Sequence, residues 1–310
     1  MFKRWQFWLG LLISAVFLYL ALRGLDLPEV WQHVKTAQYW WLLPGVAIYF
    51  FGVWARTWRW HYMLRALKVV PLRRLFPVVC IGYMGNNIYP ARIGELLRAY
   101  VLRRKEGVSI SASLATILVE RIFDGVVMLL FVFVGLPLAP SIPGNWRSFV
   151  IIFSLLFFGA LGVFFVIAAS PRRSKALSDW AIDRLLPARF REPVRGFADR
   201  FLGGLYFLRS GRDVAMIFLT SLVVWLAETG KYWFVMHAFD FEVSFFVLML
   251  MNGVVNLFTT LPAAPGYFGT FDWPGIQVLT TYLGQGRPPV EVAAVQATAA
   301  AYTFALHLAL

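Results

Sequence analysis

The sequence predicts an all-α polytopic membrane protein, with six membrane-spanning helices and two re-entrant helical hairpins arranged as an inverted repeat. Three observations predict it. Hydrophobic residues make up 60% of the 310-residue chain and charged residues 15%, at a mean hydropathy of +0.67, which leaves little room for a water-soluble domain. The formal charge of +13 gathers at the ends of apolar segments, as the positive-inside rule requires, and so calls for no nucleic acid. Two apolar stretches are interrupted by polar residues, proline and glycine, one turning through Asn86 to Arg98 and the other running from Asn252 to Asp272. In a bilayer such breaks survive only where protein or a water-filled cavity satisfies the backbone.

Residues 1–25 read as a first span with its N-terminus inside, because the apolar run after Lys3 and Arg4 is longer than a signal-peptide core and has no small-residue cleavage site behind it. Residues 26–38, with periodic apolar side chains, are expected on the outer surface. A span from Trp40 returns inward and ends in Arg56, Thr57, Trp58, Arg59, Trp60 and His61, where arginines between aromatic rings suit an interfacial belt. Arg73 and Arg74 precede the short run 75–89, and the return arm 93–102 ends in Arg103, Arg104 and Lys105. Basic residues at both ends put both ends of this hairpin inside. Residues 108–136 then cross outward, with Glu120 ~18 Å along the helix and therefore within the hydrocarbon.

A connecting span over 146–170 leads to an arginine-dense cytoplasmic linker, 171–212. Within it Val194, Phe197, Phe201, Leu205 and Leu208 recur at helical spacing. That pattern reads as an amphipathic helix on the inner leaflet, with Arg191, Arg195 and Arg200 toward anionic lipid, or as a linker helix packed on the loops. From residue 213 a span runs outward through Glu228 and Lys231. A stretch interrupted by Asn252, Gly253 and Asn256 follows, then a second arm over 273–283 and a last helix over 290–310. The segments 40–136 and 213–310 are each span, broken hairpin, span, of nearly equal length and opposite orientation, within one integral domain 1–310. Paired broken segments in inverted halves point to a substrate site near the bilayer midplane.

The candidate substrate-binding residues follow from this layout: Asn86, Asn87, Tyr89, Arg92, Glu95, Arg98, Glu120, Arg121, Asp124, Glu228, Lys231, Asn252 and Asn256. Pro90, Gly94, Pro262, Pro265, Gly266 and Gly269 are expected to shape the hairpins. Arg92, Glu95 and Arg98 share roughly one helical face, so the arginines either hold an anionic headgroup or close a structural network with Glu95. Arg98, near the cytoplasmic end, either joins Arg92 in holding the headgroup or merely snorkels. Glu120 and Asp124 could relay a proton or contact a cationic headgroup, but an internal ion pair with Arg92 is favoured because buried charges must be paired. Glu228 and Lys231, one turn apart, can satisfy each other. Cys80 is the single cysteine, and His33, His61, His237 and His307 have no paired metal-ligand spacing. With no phosphate loop or nucleophile elbow, no metal, cofactor or catalytic residue is expected.

Three motifs in order, Asn86-Asn87-Ile88-Tyr89-Pro90-Ala91-Arg92-Ile93-Gly94-Glu95, Glu120-Arg121-Ile122-Phe123-Asp124 and Pro262-Ala263-Ala264-Pro265-Gly266-Tyr267-Phe268-Gly269-Thr270-Phe271, resemble the lysylphosphatidylglycerol synthase/flippase transmembrane region. The resemblance implies a helical fold with re-entrant hairpins in a prokaryotic cytoplasmic membrane, and the distribution of basic residues puts both termini in the cytoplasm. It also implies lipid translocation between leaflets, since the family's best-understood member couples this region to that activity. No soluble aminoacyl-transferring domain is recognisable in the sequence, so aminoacylation of lipid is not expected. The expected function is a non-enzymatic lipid translocator whose partners are membrane lipids with anionic headgroups. The alternatives are a membrane-embedded transferase using Glu95, Glu120 or Asp124 as general base, and a scaffold for a separate lipid- or glycan-synthesis enzyme.

Overall fold

A computed structural model of the chain describes residues 5–89, 93–135, 171–261 and 263–309, with isolated positions between 152 and 162. The expected connecting span over 146–170, and Pro90, Arg92 and Pro262, lie largely or wholly outside the described residues. Among those residues the chain is helical throughout, with no strand: α1 (Trp5–Leu22), α2 (Leu27–Thr36), α3 (Leu42–Leu64), α4 (Leu72–Ile88), α5 (Ile93–Glu106), α6 (Ile110–Gly135), α7 (Pro171–Leu185), α8 (Ala188–Gly203), α9 (Gly211–Met236), α10 (Phe245–Phe258), α11 (Asp272–Leu283) and α12 (Pro289–Leu308). Local chemistry sets several starts. Asp26, Ser210 and Ser244 each accept a hydrogen bond from the amide three residues on, at 3.3, 3.2 and 3.4 Å, capping α2, α9 and α10.

Among the described residues α9 alone is long and apolar enough to cross a membrane unaided; α1 and α2 pass the same test together but are bent by 85°. Helices α3 and α6 reach ~35 and ~39 Å, long enough to span, but α3 carries Arg56 and Arg59 and α6 carries Glu120, Arg121 and Asp124. The pairing of those charges inside the protein, described below, makes such helices compatible with a bilayer.

Each half has its own core. Val53, Trp60, Leu75, Leu102, Val119 and Ile217 belong to one, and Tyr232, Val247, Met251, Ile276, Ala300 and Tyr302 to the other. Helix α3 runs along α9, and a smaller cluster including Ala55, Val127, Phe131, Val224 and Met249 joins the halves. Helices α4 and α5 pack as one hairpin, α10 and α11 as a second; α2 packs on α12, and α8 packs on α6. The first hairpin closes because Gly94 has no side chain: a Cβ there would stand 1.9 Å from the Gly82 carbonyl oxygen and 2.5 Å from the Asn86 nitrogen. At the second hairpin's tip Pro265 opens a single 3-10 turn, and Gly266, Tyr267 and Gly269 all have positive φ. Only glycine takes that conformation without cost, so Tyr267 is held there by its surroundings.

Three expectations change. Helix α10 is continuous through Asn252, Gly253 and Asn256 and breaks only after Phe258, because the two carboxamides find partners inside the fold. The linker's apolar stripe does not continue on a lipid-facing helix: α8 ends at Gly203, and Leu205 and Phe207 are buried in the first core. Arg195 is not free for lipid either, since Asp179, Asp183 and Glu192 hold it at 3.2, 2.8 and 2.8 Å. With Lys175 paired to Asp199 at 2.9 Å, α7 is tied to α8, which packs on α6.

A carboxylate also fastens the base of the first hairpin. Glu106, the last residue of α5, meets Lys68 at 3.1 Å and Arg74 at 3.5 Å, and its carbonyl accepts from the lysine at 2.7 Å. The hydrogen bond from Lys68 holds the carboxyl below its ordinary value, with the Lys68 and Arg74 charges adding to the effect. A lowered folded-state value means that the stabilisation is fully present above the unfolded-state value, near pH 4.3, and is lost as pH falls through the folded one. Glu106→Gln should therefore cost about 1 kcal/mol or less at neutral pH, both cations being well exposed. Thermal melts should show the gap to the parent closing on acidification; a gap that does not change with pH would count against the clamp.

Candidate functional site

The two hairpins and the long helices α3, α6 and α9 meet around one cavity of about 310 Å³. Asn86 and Asn87 reach it from α4, Arg56 from α3, Arg121 and Asp124 from α6, Glu228 from α9, and Asn256, Gly266, Phe271 and His307 from the last third of the chain. Its volume is in the range of small-ligand sites. Two groups of buried charges stand on one side of it, and they differ in their balance.

The first group is closed. Arg59, completely buried, lies 2.5 Å from Asp124 and 3.1 Å from Glu120, and donates to Ser221 Oγ at 2.9 Å. Arg98 meets Glu120 at 2.8 Å with its guanidinium 4.3 Å from the centre of the Trp60 ring. Arg121 bridges Glu120 at 2.5 Å, Asp124 at 3.3 Å and Glu95 at 3.4 Å, and Trp225 Nε1 donates to Asp124 at 2.8 Å. Three guanidiniums thus face three carboxylates. Helices α3, α5 and α6 each contribute at least one charge, so the network pins the hairpin to both long helices.

The second group is open. Arg56 meets Glu228 at 3.1 Å, and Lys231, on the next turn of α9, holds the other oxygen of the same carboxylate. Two cations share one anion. Arg56 also lies over the rings of Tyr83 and Trp225, at 5.2 and 5.7 Å, so its planar group is held at the cavity wall by stacking as well as by charge. Asn252 donates to Thr229 Oγ1 at 2.9 Å, and Asn256 donates to Asn252 Oδ1 at 2.7 Å, tying α10 to α9 beneath the site. Asn86 Oδ1 is buried without a hydrogen-bond partner among the described residues, and its side chain lines the cavity.

At the far wall His307 fixes the second hairpin's tip. Its Nε2 is 2.6 Å from the Gly266 carbonyl oxygen and its Nδ1 2.8 Å from Asp272 Oδ1, while the Gly269 amide donates to Asp272 Oδ2 at 2.8 Å. A carbonyl only accepts, so Nε2 is the nitrogen that donates to Gly266. Phe271 stacks on the imidazole at 4.6 Å.

Of the residues the sequence singled out, Asn86, Asn87, Arg121, Asp124, Glu228, Asn256 and Gly266 line the cavity. Glu95, Arg98, Glu120, Lys231 and Asn252 stand behind it as partners, and Tyr89 is exposed, away from it. Arg98 does not snorkel: it is 3% exposed, because Glu120 and Trp60 hold it inside. Arg56 and Arg59 are not interfacial belt residues but the cations of the two networks. Glu120 and Asp124 are paired inside the protein as favoured, with Arg59, Arg98 and Arg121 as their partners. Sequence reading also missed Trp225, Asp272 and His307. Among the described residues no group of histidine, cysteine and carboxylate side chains could hold a metal.

The described residues form a helical bundle around one charged, partly open cavity lined by residues from both parts of the chain. The chain belongs to the family of the lysylphosphatidylglycerol synthase transmembrane region, whose model matches residues 7–310. It is similar to a UPF0104 membrane protein of Methanothermobacter thermautotrophicus, at 24% identity over 86% of this chain and 82% of the relative. A second UPF0104 membrane protein of that organism is 27% identical over 75% of this chain and 71% of its own length. Glycosyltransferase AglD of Haloferax volcanii is 25% identical over 85% of this chain, which covers 47% of that protein. No solved structure matches.

Proposed function

We propose that this protein is a non-enzymatic translocator that carries a lipid with an anionic headgroup between leaflets, the headgroup passing through the cavity while the acyl or prenyl chains stay in the bilayer. The carrying observation is the uncancelled cation: Arg56 and Lys231 share the single carboxylate of Glu228, and Arg56 faces the cavity. Guanidinium suits bidentate phosphate binding, and in a low-dielectric site an anion there gains a charge-assisted partner. Asn86, Asn87 and Asn256 supply neutral hydrogen-bonding groups around it. No cofactor takes part.

The proposal includes the finer architecture of six crossings, two re-entrant hairpins and an inverted repeat. Its support is the pattern of packing. Exchanging α3 to α6 with α9 to α12 maps α3 on α9 onto itself, turns the α4 and α5 hairpin into the α10 and α11 hairpin, and turns α2 on α12 into α8 on α6. A cytoplasmic location of both termini rests on charge, since outside the hairpins the basic residues near the proposed outer surface are few, Arg23, Lys35 and Arg147, against the many on the inner side.

A second reading draws on the similarity to a glycosyltransferase: the region would serve as a membrane scaffold beside a lipid- or glycan-synthesis enzyme. Reconstitution separates the two. Vesicles containing the purified protein should exchange phosphatidylglycerol or a polyprenyl phosphate between leaflets faster than protein-free vesicles, and phosphatidylcholine no faster. Failure to accelerate any anionic lipid, with or without an ion gradient, would reject translocation and leave the scaffold.

A further inference from the structure

A second cavity, of about 470 Å³, lies where α5 gives way to α6 and shares no lining residue with the first. Arg103 lines it from the end of α5, Gly107 and Ser109 from the connection, Ser111 from the first turn of α6, and Phe197 and Arg200 from α8. It holds two guanidiniums and no carboxylate. Neither Arg103 nor Arg200 enters an ion pair among the described residues, although acidic residues are near in sequence. Glu106 is engaged by Lys68 and Arg74, Asp199 by Lys175, and Glu192 by Arg195. The two positive groups are thus left uncancelled around one space.

The neutral groups point to the same ligand chemistry. Ser111 is 4% exposed and lines the cavity. It sits on the N-terminal turn of a 26-residue helix. Ser109 Oγ accepts from the Ala112 amide at 3.3 Å, which leaves the amides of Ile110 and Ser111 ahead of the first intrahelical bond. The helix end adds partial positive charge at that point. Two forked guanidiniums, a hydroxyl lining the cavity and the helix-terminal amides match the oxygens of a tetrahedral oxyanion.

We propose that this cavity is a phosphate-binding site, separate from the translocation cavity, for a phosphomonoester or phosphodiester. Two sources share that chemistry: the headgroup of an anionic lipid in the adjacent leaflet, and a soluble phosphorylated ligand. The exposed ring of Phe197, at the same cavity, gives either one an apolar contact beside the phosphate.

Binding of two probes to the purified full chain in an uncharged detergent tests it: inorganic phosphate, and short-chain dihexanoyl phosphatidylglycerol set against dihexanoyl phosphatidylcholine. The parent should bind phosphate or phosphatidylglycerol saturably, and phosphatidylcholine, whose choline cation faces two guanidiniums, more weakly. Binding of the lipid alone assigns the site to a headgroup, and binding of phosphate as well assigns it to the phosphate group itself. Arg103→Gln combined with Arg200→Gln should weaken binding by at least about tenfold, since each loses a hydrogen bond to a charged group, and Ser111→Ala should weaken it less. Arg104→Gln with Lys105→Gln removes equal charge from exposed neighbours outside the cavity and should leave binding intact. The proposal is overturned if neither probe binds saturably, or if the Arg104 and Lys105 control weakens binding as much as the cavity variant. Because no residue is shared with the first cavity, lipid exchange in vesicles reports on the translocation proposal independently.

Discussion

Arg59→Met should yield a protein destabilised by about 3–5 kcal/mol, the cost of breaking a buried ion pair by removing one partner. The change would leave Arg98 and Arg121 facing Glu95, Glu120 and Asp124, so one carboxylate charge would be left without a cation among buried side chains. Asp124 would keep only Arg121 and the Trp225 indole, and Ser221 would lose its charged donor. Thermal melts and size-exclusion profiles in detergent measure the loss. Adding Glu120→Gln restores the charge balance, so the double variant should be more stable than the sum of the single losses predicts, with a coupling of roughly 0.5–3 kcal/mol. An Arg59→Met protein as stable as the parent would show that the network does not hold the helices together.

The same network explains which parts of the site could be read from sequence. Glu120 with Asp124, and Glu228 with Lys231, announce themselves because carboxylates and a lysine within long apolar runs must meet partners, and their helical spacing puts them on one face. The break between α10 and α11 is equally legible, since proline and glycine at 262 to 269 cannot continue a helix exposed to lipid. Arg56 and Arg59 were not. They stand among Trp54, Trp58, Trp60 and His61 toward one end of an apolar run, and local composition there matches a headgroup belt. Charge counting would have corrected this only if Arg92 were set aside: with Arg92 included, Arg98 and Arg121 already balance Glu95, Glu120 and Asp124, and no further cation is required. The available clue was position, because Arg59 lies more than a full turn before the end of α3 at Leu64. Asp272 and His307 are 35 residues apart, joined only when α12 folds back on the second hairpin, and no local pattern encodes that contact. The continuity of α10 was hidden for the opposite reason. Asparagines in an apolar helix resemble a break until α9 supplies their hydrogen bonds.

Arg56→Gln should behave differently from Arg59→Met, although both remove a buried guanidinium from the same helix. Glu228 keeps Lys231 after the change, so no carboxylate is stranded and the fold should survive with a small loss of stability. What disappears is the uncancelled positive charge on the cavity wall. If that charge receives the headgroup, exchange of phosphatidylglycerol or polyprenyl phosphate in reconstituted vesicles should fall by at least about tenfold, the value of a hydrogen bond to a charged group. Arg56→Lys should recover part of the rate, because a point charge remains while the planar group over Tyr83 and Trp225 is lost. Two outcomes would sink the assignment. Undiminished exchange by a folded Arg56→Gln protein would mean that the headgroup does not use this cation. Recovery of full exchange on adding Glu228→Gln would mean that Arg56 serves only to neutralise Glu228, since the pair would then be dispensable together, whereas a residue that holds the phosphate cannot be replaced by removing its neighbour's charge.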